Sequence, residues 1–291
     1  MRPFASILIY FSLISVLLGA CRSLGPDLPP PLSGSKALIV GHGGRGFTSF
    51  RNGIPANSFA SMIRAIEAEH ADGIEMDVQL SGDSIPILFH EDFLERSTNC
   101  KGCSGDYTFA ELQKCAYKNS LEAKLHNYPL ASLEEVMAYF ADDTVPPLFS
   151  LNIKIGNACT FTQGETYRKT LAAKTVALVA KYNAWDWVLV ECPAIDFLLE
   201  IRNLDAKITI MVDGDVFPDD FDRVVDNDLD GIVARVQSFS KEEVAAFHAE
   251  GREVVMYGIQ LRKDAIEALE KGADQLQVED IRMVKEVLKG L

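Results

Sequence analysis

The sequence predicts an α/β protein built as a closed (β/α)8 barrel, the TIM-barrel architecture. Short apolar runs rich in β-branched residues alternate with helical patterns along most of the chain. No break in composition divides residues 36–291. A stretch of this size suits one barrel, for which about 250 residues are typical, better than a doubly wound sheet. We therefore expect residues 36–291 to form a single barrel domain.

The segment before the predicted barrel has the pattern of an export signal. After Arg2 an apolar run extends to Ala20, which is typical of a secretory signal peptide and lacks the flanks of a transmembrane helix. Residues 18–21, Leu-Gly-Ala-Cys, resemble the bacterial lipobox, in which the cysteine carries the lipid; a plain signal peptide with unmodified Cys21 is the alternative. Residues 21–35 are rich in Pro, Gly and Ser and indicate a tether. Together they predict an exported lipoprotein, anchored to a membrane through Cys21 and located in the periplasm or at the cell surface.

Nine strand-like runs follow the tether, one more than the barrel needs. They cover residues 37–40, 73–80, 85–90, 147–154, 186–191, 207–212, 231–236, 253–259 and 274–278. Helical patterns occupy residues 57–69, 166–182, 194–203, 241–251 and 262–272. The run at 85–90 follows the preceding run through a short Ser-Gly-Asp-Ser link, so we expect it to form a hairpin-like extension and not a barrel strand.

The stretch 93–128 lacks a strand pattern and is predicted to be a small insertion after the third strand-like run. Its cysteines are Cys100, Cys103 and Cys115. In an exported protein a disulfide between the third of these and one of the first two is favoured. A zinc half-site is the alternative, although no second C-x-x-C or paired histidine follows. Cys159 and Cys192 are predicted to be buried thiols.

The charge of the chain restricts its partners. The formal net charge is −14 at neutral pH. Such a surface argues against binding nucleic acid, and against binding anionic lipid headgroups through general basicity. An anionic substrate would therefore need positive charge concentrated at its site.

Residues 41–46, Gly-His-Gly-Gly-Arg-Gly, contain the glycine spacing of a dinucleotide-binding loop. In such a loop the third glycine lies where a helix begins, so that the pyrophosphate rests on the helix N-terminus. Here the helical pattern begins only near Asn57, after a loop that contains glycine and proline. The interpretation that remains is a tight turn after the first strand, which presents His42 and Arg45 at the carboxyl-end mouth of the barrel.

Acidic and polar side chains end the following strands. Glu75 and Asp77 are two residues apart and share one face of a strand. Two carboxylates inside a barrel are costly without a positive partner, and a hard divalent cation meets that need. His90 ends the next run, and Asn152 can add an amide oxygen from the run after it. Because carboxyl ends of parallel strands meet at one mouth, we expect these groups to converge there.

These residues in this order resemble the glycerophosphodiester phosphodiesterase family, which shares its barrel and its metal-assisted chemistry with phosphatidylinositol phospholipases C. The family pattern is His-Arg-Gly, Pro-Glu-Asn-Thr or Ser, Glu-x-Asp, His-Asp and Glu-x-Lys. It appears here as residues 42–46 (His-Gly-Gly-Arg-Gly), 55–58 (Pro-Ala-Asn-Ser), 75–77 (Glu-Met-Asp), 90–92 (His-Glu-Asp) and 152–154 (Asn-Ile-Lys). The resemblance covers most of residues 37–154.

The resemblance implies roles for the acidic and imidazole groups. His42 and His90 would be the general acid and base, in an order that the sequence leaves open. Glu75 and Asp77 would bind one divalent cation, Ca2+ or Mg2+, with Mn2+ as a third candidate. Asn152 stands where the family has a third carboxylate, so the cation would have a neutral and weaker ligand there.

The resemblance also implies contacts to the substrate. Lys154 would bind the phosphate, and Arg45 would join it by a different route, because it stands three residues after the histidine instead of next to it. Ala56 replaces the family's glutamate at the helix entry, and Tyr257 is a candidate to pack on glycerol. The implied reaction is hydrolysis of a small glycerophosphodiester to glycerol 3-phosphate and an alcohol. The alternatives are a phospholipase C- or D-like attack on intact lipid, and a non-catalytic binding barrel.

Overall fold

The computed structural model describes residues 37–48, 53–118, 121–156, 158–159 and 164–290. The predicted signal peptide, the tether and Cys21 lie outside these residues and stay predictions. Within the described ranges, no helix combines the length and the apolar character that crossing a bilayer requires.

In the part of the chain that the structure describes, nine strands form a single sheet. They are β1 (Leu38–Gly41), β2 (Gly73–Leu80), β3 (Pro86–Leu88), β4 (Leu148–Ile153), β5 (Val188–Cys192), β6 (Thr209–Asp213), β7 (Gly231–Arg235), β8 (Glu253–Ile259) and β9 (Gln275–Val278). The strand order is β1-β9-β8-β7-β6-β5-β4-β2-β3, and the parallel pairing of β1 with β2 closes the ring. The predicted (β/α)8 barrel is therefore confirmed. β3 pairs antiparallel with β2 outside the ring, which confirms the expected hairpin-like extension.

Helices surround the barrel. They are α1 (Phe59–Glu67), α2 (Phe109–Leu112), α3 (Leu121–Leu125), α4 (Leu133–Phe140), α5 (Gly164–Lys181), α6 (Ile195–Leu204), α7 (Asp219–Asp226), α8 (Lys241–Ala249), α9 (Arg262–Lys271) and α10 (Ile281–Gly290). Capping side chains set several of their starts: the Ser58 hydroxyl accepts from the Ser61 N–H at α1, and Ser132 and Glu135 form a reciprocal box at α4. Gly272 ends α9 with a φ of 90°.

The interior of the barrel changes from apolar to polar toward the mouth. Leu189, Met211, Val233 and Val255 form a buried cluster on neighbouring strands. Side chains two residues further along each strand point to the same side, because the side-chain period of a strand is two. Those residues are Glu191, Asp213, Arg235 and Tyr257. The inner wall at the carboxyl ends of the strands therefore carries charged and polar groups.

Residues 93–128 contain two 3-10 turns, α2 and α3, and pack over a small core that includes Phe89, Leu94 and Leu112. A disulfide joins Cys100 to Cys115, which confirms the local pairing. Cys100 and Cys115 are thus not available as thiolate ligands for the zinc half-site.

The prediction that Cys159 is a buried thiol is wrong, because Cys159 forms a disulfide with Cys103. The segment after β4 folds back over the insertion, and the Cα atoms of this pair lie 5.5 Å apart although 56 positions separate them in sequence. Cys192 is a free, buried thiol, as expected.

Candidate active site

The turn after β1 places His42 against the last strand. Gly46 has a φ of +98°, and a Cβ there would lie 2.2 Å from the backbone oxygen of Glu279, so only glycine lets the turn approach this closely. Glu279 then uses both carboxylate oxygens. Its Oε1 lies 2.7 Å from Nδ1 of His42, and its Oε2 accepts from the backbone N–H groups of Phe47 and Thr48 at 2.7 and 2.8 Å. One carboxylate thus holds the imidazole and the loop that follows it.

The surroundings of His42 favour its protonated form. Burial lowers the pKa of this imidazole, but the hydrogen bond to Glu279 and the charges of Glu75, Glu279 and Asp77 outweigh it and raise the pKa to about 9. Conversely, burial opposes ionisation of Glu279, while His42 lowers the pKa of that carboxyl below its ordinary value. The two groups therefore form an ion pair at the mouth.

Glu75 brings a buried carboxylate to the same place. Its Oε2 accepts from the Gly43 N–H at 2.8 Å and lies 3.8 Å from Nε2 of His42. Its Oε1 is buried and accepts no hydrogen bond from any described residue. Burial and the neighbouring charge of Asp77 raise the pKa of Glu75 to about 8. Glu75 thus has an oxygen that needs a positive partner.

The negative charge of Asp77 has closer polar partners than that of Glu75. Its Oδ2 accepts from Nδ2 of Asn57 at 2.6 Å, and its Oδ1 lies 2.7 Å from Nζ of Lys154. Burial alone would raise the pKa of Asp77, but the charges of Lys154, His90 and His42 lower it. Both imidazoles therefore lie close enough to Asp77 for their charge to act on this carboxylate.

The oxygen donors here fit a hard divalent cation. Asn152 is the cross-strand neighbour of Asp77, so an amide oxygen can join the two carboxylates. Within the described ranges, no three His, Cys, Asp or Glu side chains are grouped to hold a metal ion. The set therefore has two anionic ligands and one neutral one. The unpartnered Oε1 of Glu75 is the observation that favours a cation.

His90 follows β3, and the side chain of Gln79 on β2 holds the backbone around it. The Gln79 side-chain amide donates to the backbone oxygens of Phe89 and Glu91 at 2.9 and 3.0 Å, which fixes the chain on both sides of His90. The Phe47 ring lies 4.8 Å from the ring of His42 and 5.1 Å from that of His90, centre to centre. Both predicted catalytic imidazoles thus border the same space, with Phe47 as an apolar wall between them.

The predicted substrate contacts are only partly brought together. Lys154 lies in the cluster through Asp77. Tyr257 lies on the inner wall of β8, where it packs on the apolar interior layer. Arg45 departs from the expectation: its Nε and one terminal nitrogen donate to Oε1 of Glu69, which also pairs with Arg282 of the outer helical ring. The structure does not bring the Arg45 guanidinium to the imidazoles and carboxylates.

Sequence reasoning missed two buried carboxylates at this mouth. Glu279 directly follows the last strand, and its partnership with His42 joins residues at opposite ends of the domain. Glu191 is the penultimate residue of β5, and its Oε2 accepts from Ser150 Oγ and from Gln277 Nε2, both at 2.8 Å. Burial, with a contribution from Asp213, outweighs these hydrogen bonds and raises the pKa of Glu191 to about 7. Their positions in the sequence could have indicated both residues, because each glutamate lies at or next to the carboxyl end of a strand, in the register that faces the barrel interior.

The fold and the mouth together define a TIM-barrel protein with acid/base groups and carboxylates where such barrels carry their chemistry. The chain belongs to the glycerophosphoryl diester phosphodiesterase family, whose model matches residues 45–283.

Named relatives share parts of the chain. A glycerophosphodiester phosphodiesterase of Caldanaerobacter subterraneus is 28% identical over 155 residues, which are 53% of this chain and 57% of that protein. A second, from Bacillus altitudinis, is 33% identical over 109 residues, 38% of this chain and 43% of that protein. The chain thus aligns with about half the length of these relatives.

Solved structures support the fold over more of the chain. A phosphodiesterase of Oleispira antarctica, in complex with the product sn-glycerol-3-phosphate, superposes with a TM-score of 0.72 at 20% identity, covering 87% of this chain and 96% of that one. A glycerophosphodiester phosphodiesterase of Agrobacterium tumefaciens superposes with a TM-score of 0.69 at 18% identity, covering 86% and 99%. At such identities the likeness establishes the barrel and its topology.

Proposed function

We propose that this protein hydrolyses glycerophosphodiesters to glycerol 3-phosphate and an alcohol. The observation that carries the proposal is the unpartnered Oε1 of Glu75, buried near Asp77 on a strand whose carboxylates lie within reach of the charges of His42 and His90. Membership in the phosphodiesterase family and the activities named for its relatives support the same substrate class. The structural neighbour that holds glycerol 3-phosphate supports the product.

The carboxylates of Glu75 and Asp77, with the amide oxygen of Asn152, would hold one divalent cation, Ca2+, Mg2+ or Mn2+. Such a cation supplies positive charge that stabilises the charge developing on the phosphoryl oxygens. Lys154 adds a fixed positive charge at the same place, since burial and the nearby carboxylates hold it against Asp77.

His42 and His90 would move the protons. One imidazole takes a proton from the nucleophile, either water or the glycerol 2-hydroxyl, and the other gives one to the leaving alcohol. Each such transfer typically contributes about 100- to 10,000-fold to the rate. Because Glu279 accepts the bond from Nδ1 of His42, Nε2 is the nitrogen of that ring that faces Glu75 and the reacting groups.

Two features favour a second candidate, a barrel that binds glycerophosphodiesters without cleaving them. Asn152 stands in place of a carboxylate ligand, and Arg45 is held by Glu69 away from the cluster. A third candidate, attack on intact lipid, is distinguished by its products: diacylglycerol or phosphatidic acid would appear in place of glycerol 3-phosphate.

The location is proposed as the surface of a membrane, with a lipid on Cys21. Two disulfides in the domain support export, because such bonds persist in oxidising compartments. Labelling with a radioactive fatty acid tests this: the full-length protein should become labelled and remain with the membrane fraction, and a C21A variant should not.

The metal proposal is tested by melting as well as by turnover. The protein is treated with a chelator, and Mg2+, Ca2+ or Mn2+ is added back while thermal unfolding and release of ethanolamine from glycerophosphoethanolamine are followed. A cation that binds only the native state should stabilise it by about 2.7 kcal/mol at a hundred times its dissociation constant. Turnover should return with the same ion.

Glu75→Gln is the matched variant. It removes a buried charge without changing the shape of the side chain, so the metal-free variant should melt no lower than the metal-free wild type. Added cation should then stabilise the wild type and leave the variant unchanged. Equal stabilisation of both proteins would place the ion elsewhere, and undiminished turnover in chelator would exclude the metal mechanism. Binding without turnover under every ion would favour the non-catalytic barrel.

A further inference from the structure

The mouth of the barrel has more acidic than basic groups. Five buried or half-buried carboxylates line it, two from β2 and one each from β5, β6 and the turn after β9: Glu75, Asp77, Glu191, Asp213 and Glu279. A phosphodiester is an anion, and a full charge next to so many carboxylates is unfavourable unless fixed cations offset it. Lys154 already compensates Asp77. The proposed cation would offset Glu75 and Asp77, and His42 pairs with Glu279. A further cationic side chain is therefore needed mainly near Glu191 and Asp213.

Arg45 does not meet this need. Its side chain is only 12% exposed, and its Nε and one terminal nitrogen both donate to Oε1 of Glu69. Glu69 follows α1 on the outer side of the barrel and also pairs with Arg282 of α10. Arg45 therefore ties the turn after β1 to the surrounding helices.

Arg235 is placed differently. It ends β7 on the inward face, two residues after Val233 of the apolar interior layer, and its side chain is 62% exposed. Its guanidinium carbon lies 5.1 Å from the centre of the Tyr257 ring on β8, which gives the group a flat support. Thus Arg235 is both directed to the mouth and accessible from it.

The partners of Arg235 leave part of its guanidinium available. Among the described residues its ion pair is formed through Nε, 3.5 Å from Oδ2 of Asp215. The other oxygen of Asp215 accepts from the backbone N–H of Arg235 at 2.8 Å and from the Ser238 hydroxyl at 2.6 Å. Asp215 therefore anchors the base of the side chain, while the two terminal nitrogens can make the paired contacts that arginine forms with phosphate oxygens.

We propose that Arg235, supported on Tyr257, is the arginine that binds the phosphoryl oxygens of the substrate, in place of Arg45. This inference rests on the proposed function, and it adds the residue on β7 that determines affinity for the anion. Asp213 ends β6, which lies between β4 and β7 in the strand order, and the charges of both Lys154 and Arg235 act on it. A phosphoryl group above Asp213 would thus meet a cation from each side.

Binding of glycerol 3-phosphate to the chelator-treated full-length protein tests the proposal without relying on turnover. Isothermal titration calorimetry is done on the wild type and on R235Q, R235K and R45Q. R262Q is the matched control: Arg262 is also exposed and also makes one loose ion pair, 3.4 Å to Glu286, but it lies on the outer helix α9. Loss of a charged hydrogen-bond donor should weaken binding by about 10- to 100-fold in R235Q.

The control and the remaining variants should behave differently from R235Q. R235K keeps the charge but loses the fork, so it should recover part of the affinity. R262Q and R45Q should bind within about twofold of the wild type, and R45Q should instead unfold at a lower temperature because the buried Glu69 keeps, among the described residues, only its ion pair with Arg282. The KM for glycerophosphoethanolamine should rise most in R235Q, less in R235K, and stay within about twofold of the wild type in R45Q and R262Q.

The outcomes separate this proposal from the proposed function. If the wild type and R235Q bind glycerol 3-phosphate equally well, the proposed role of Arg235 is wrong and the phosphodiesterase proposal still stands. Loss of binding in R45Q at unchanged thermal stability overturns it as well, in favour of the arginine near His42. A wild type that neither binds glycerol 3-phosphate nor cleaves any glycerophosphodiester overturns both.

Discussion

Replacing Glu279 by glutamine should impair catalysis without removing the site. The carboxylate accepts three N–H groups: His42 Nδ1 at 2.7 Å, Phe47 N at 2.7 Å and Thr48 N at 2.8 Å. A glutamine amide has one acceptor oxygen and one donor nitrogen, so it cannot satisfy donors on both sides. If its oxygen stays with the loop, its NH2 group faces His42, and the imidazole must turn Nδ1 into an acceptor and carry its proton on Nε2.

The size of the effect follows from these contacts. A hydrogen bond to a charged group contributes about 1.5–3 kcal/mol, or roughly 10- to 100-fold. The wrong tautomer would also remove part of the proton transfer, which typically contributes about 100- to 10,000-fold. We therefore expect kcat to fall by about 100-fold or more in E279Q, with a smaller change in KM because Glu279 does not face the substrate.

Steady-state kinetics with glycerophosphoethanolamine measures kcat, and nitrogen NMR of the labelled histidine ring reports which nitrogen carries the proton. E279D is the control, because it keeps both acceptor oxygens on a side chain shortened by one methylene and should lose less activity than E279Q. A kcat within threefold of the wild type, together with an unchanged tautomer in E279Q, would refute the reasoning.

Three further predictions follow from other contacts at the mouth. Burial raises the pKa of Glu191 in the folded state to about 7, so the folding stability linked to its protonated form is present below the ordinary pKa of a glutamate and is lost as pH rises toward 7. In chelator, the free energy of unfolding of E191Q should therefore rise relative to that of the wild type between about pH 5 and pH 8. Denaturant unfolding measures this difference. The disulfide Cys103–Cys159 closes a loop of 56 positions, so a double alanine variant that lacks it should lose about 4 kcal/mol of stability. The disulfide Cys100–Cys115 closes a loop of 15 positions, and its removal should cost about 3 kcal/mol. The reverse order in urea unfolding would contradict the assumption that the longer closed loop stabilises more. A substrate with a nitrophenyl leaving group needs no proton on that group, so it should restore much of the activity to whichever of H42A and H90A lacks the general acid. If both variants are equally impaired on this substrate and on glycerophosphoethanolamine, the two histidines do not divide the acid and base roles.

The barrel could be predicted because its signals are local. Each strand is a short apolar run, and α1, α5, α6, α8 and α9 coincide with stretches that the sequence marks as helical, so the alternation is readable without tertiary information. The carboxyl ends of parallel strands must meet at one mouth, which is why Glu75, Asp77 and Lys154 could be grouped from the sequence. His90 comes near Asp77 by another route, because it follows β3, which runs antiparallel to β2. The antiparallel β3 was also predictable, since its link to β2 is too short for a parallel crossover.

What escaped prediction depends on the direction in which long side chains point and on contacts far apart in sequence. Arg45 lies in the expected turn, yet its guanidinium extends to Glu69 on the outside of the barrel. Cys159 follows a strand and carries no pattern that would link it to Cys103. Glu279 became a partner of His42 only through closure of the ring, which makes β1 and β9 neighbours.

The neutral residue at position 152 can be understood from its neighbours across the sheet. Asn152 pairs with Asp77 on one side and with Glu191 on the other. A glutamate there would place three buried carboxylates on adjacent strands, with Lys154 as the nearest fixed cation, and like charges in a buried wall raise one another's pKa values. Burial, with a contribution from the charge of Asp213, already raises the pKa of Glu191 although Ser150 and Gln277 donate to it. Because the inner wall carries a carboxylate on β5, an amide on β4 keeps an oxygen donor beside Asp77 without adding a further charge. The departure from the family pattern at Asn152 and the buried glutamate beside it are therefore two parts of one electrostatic arrangement.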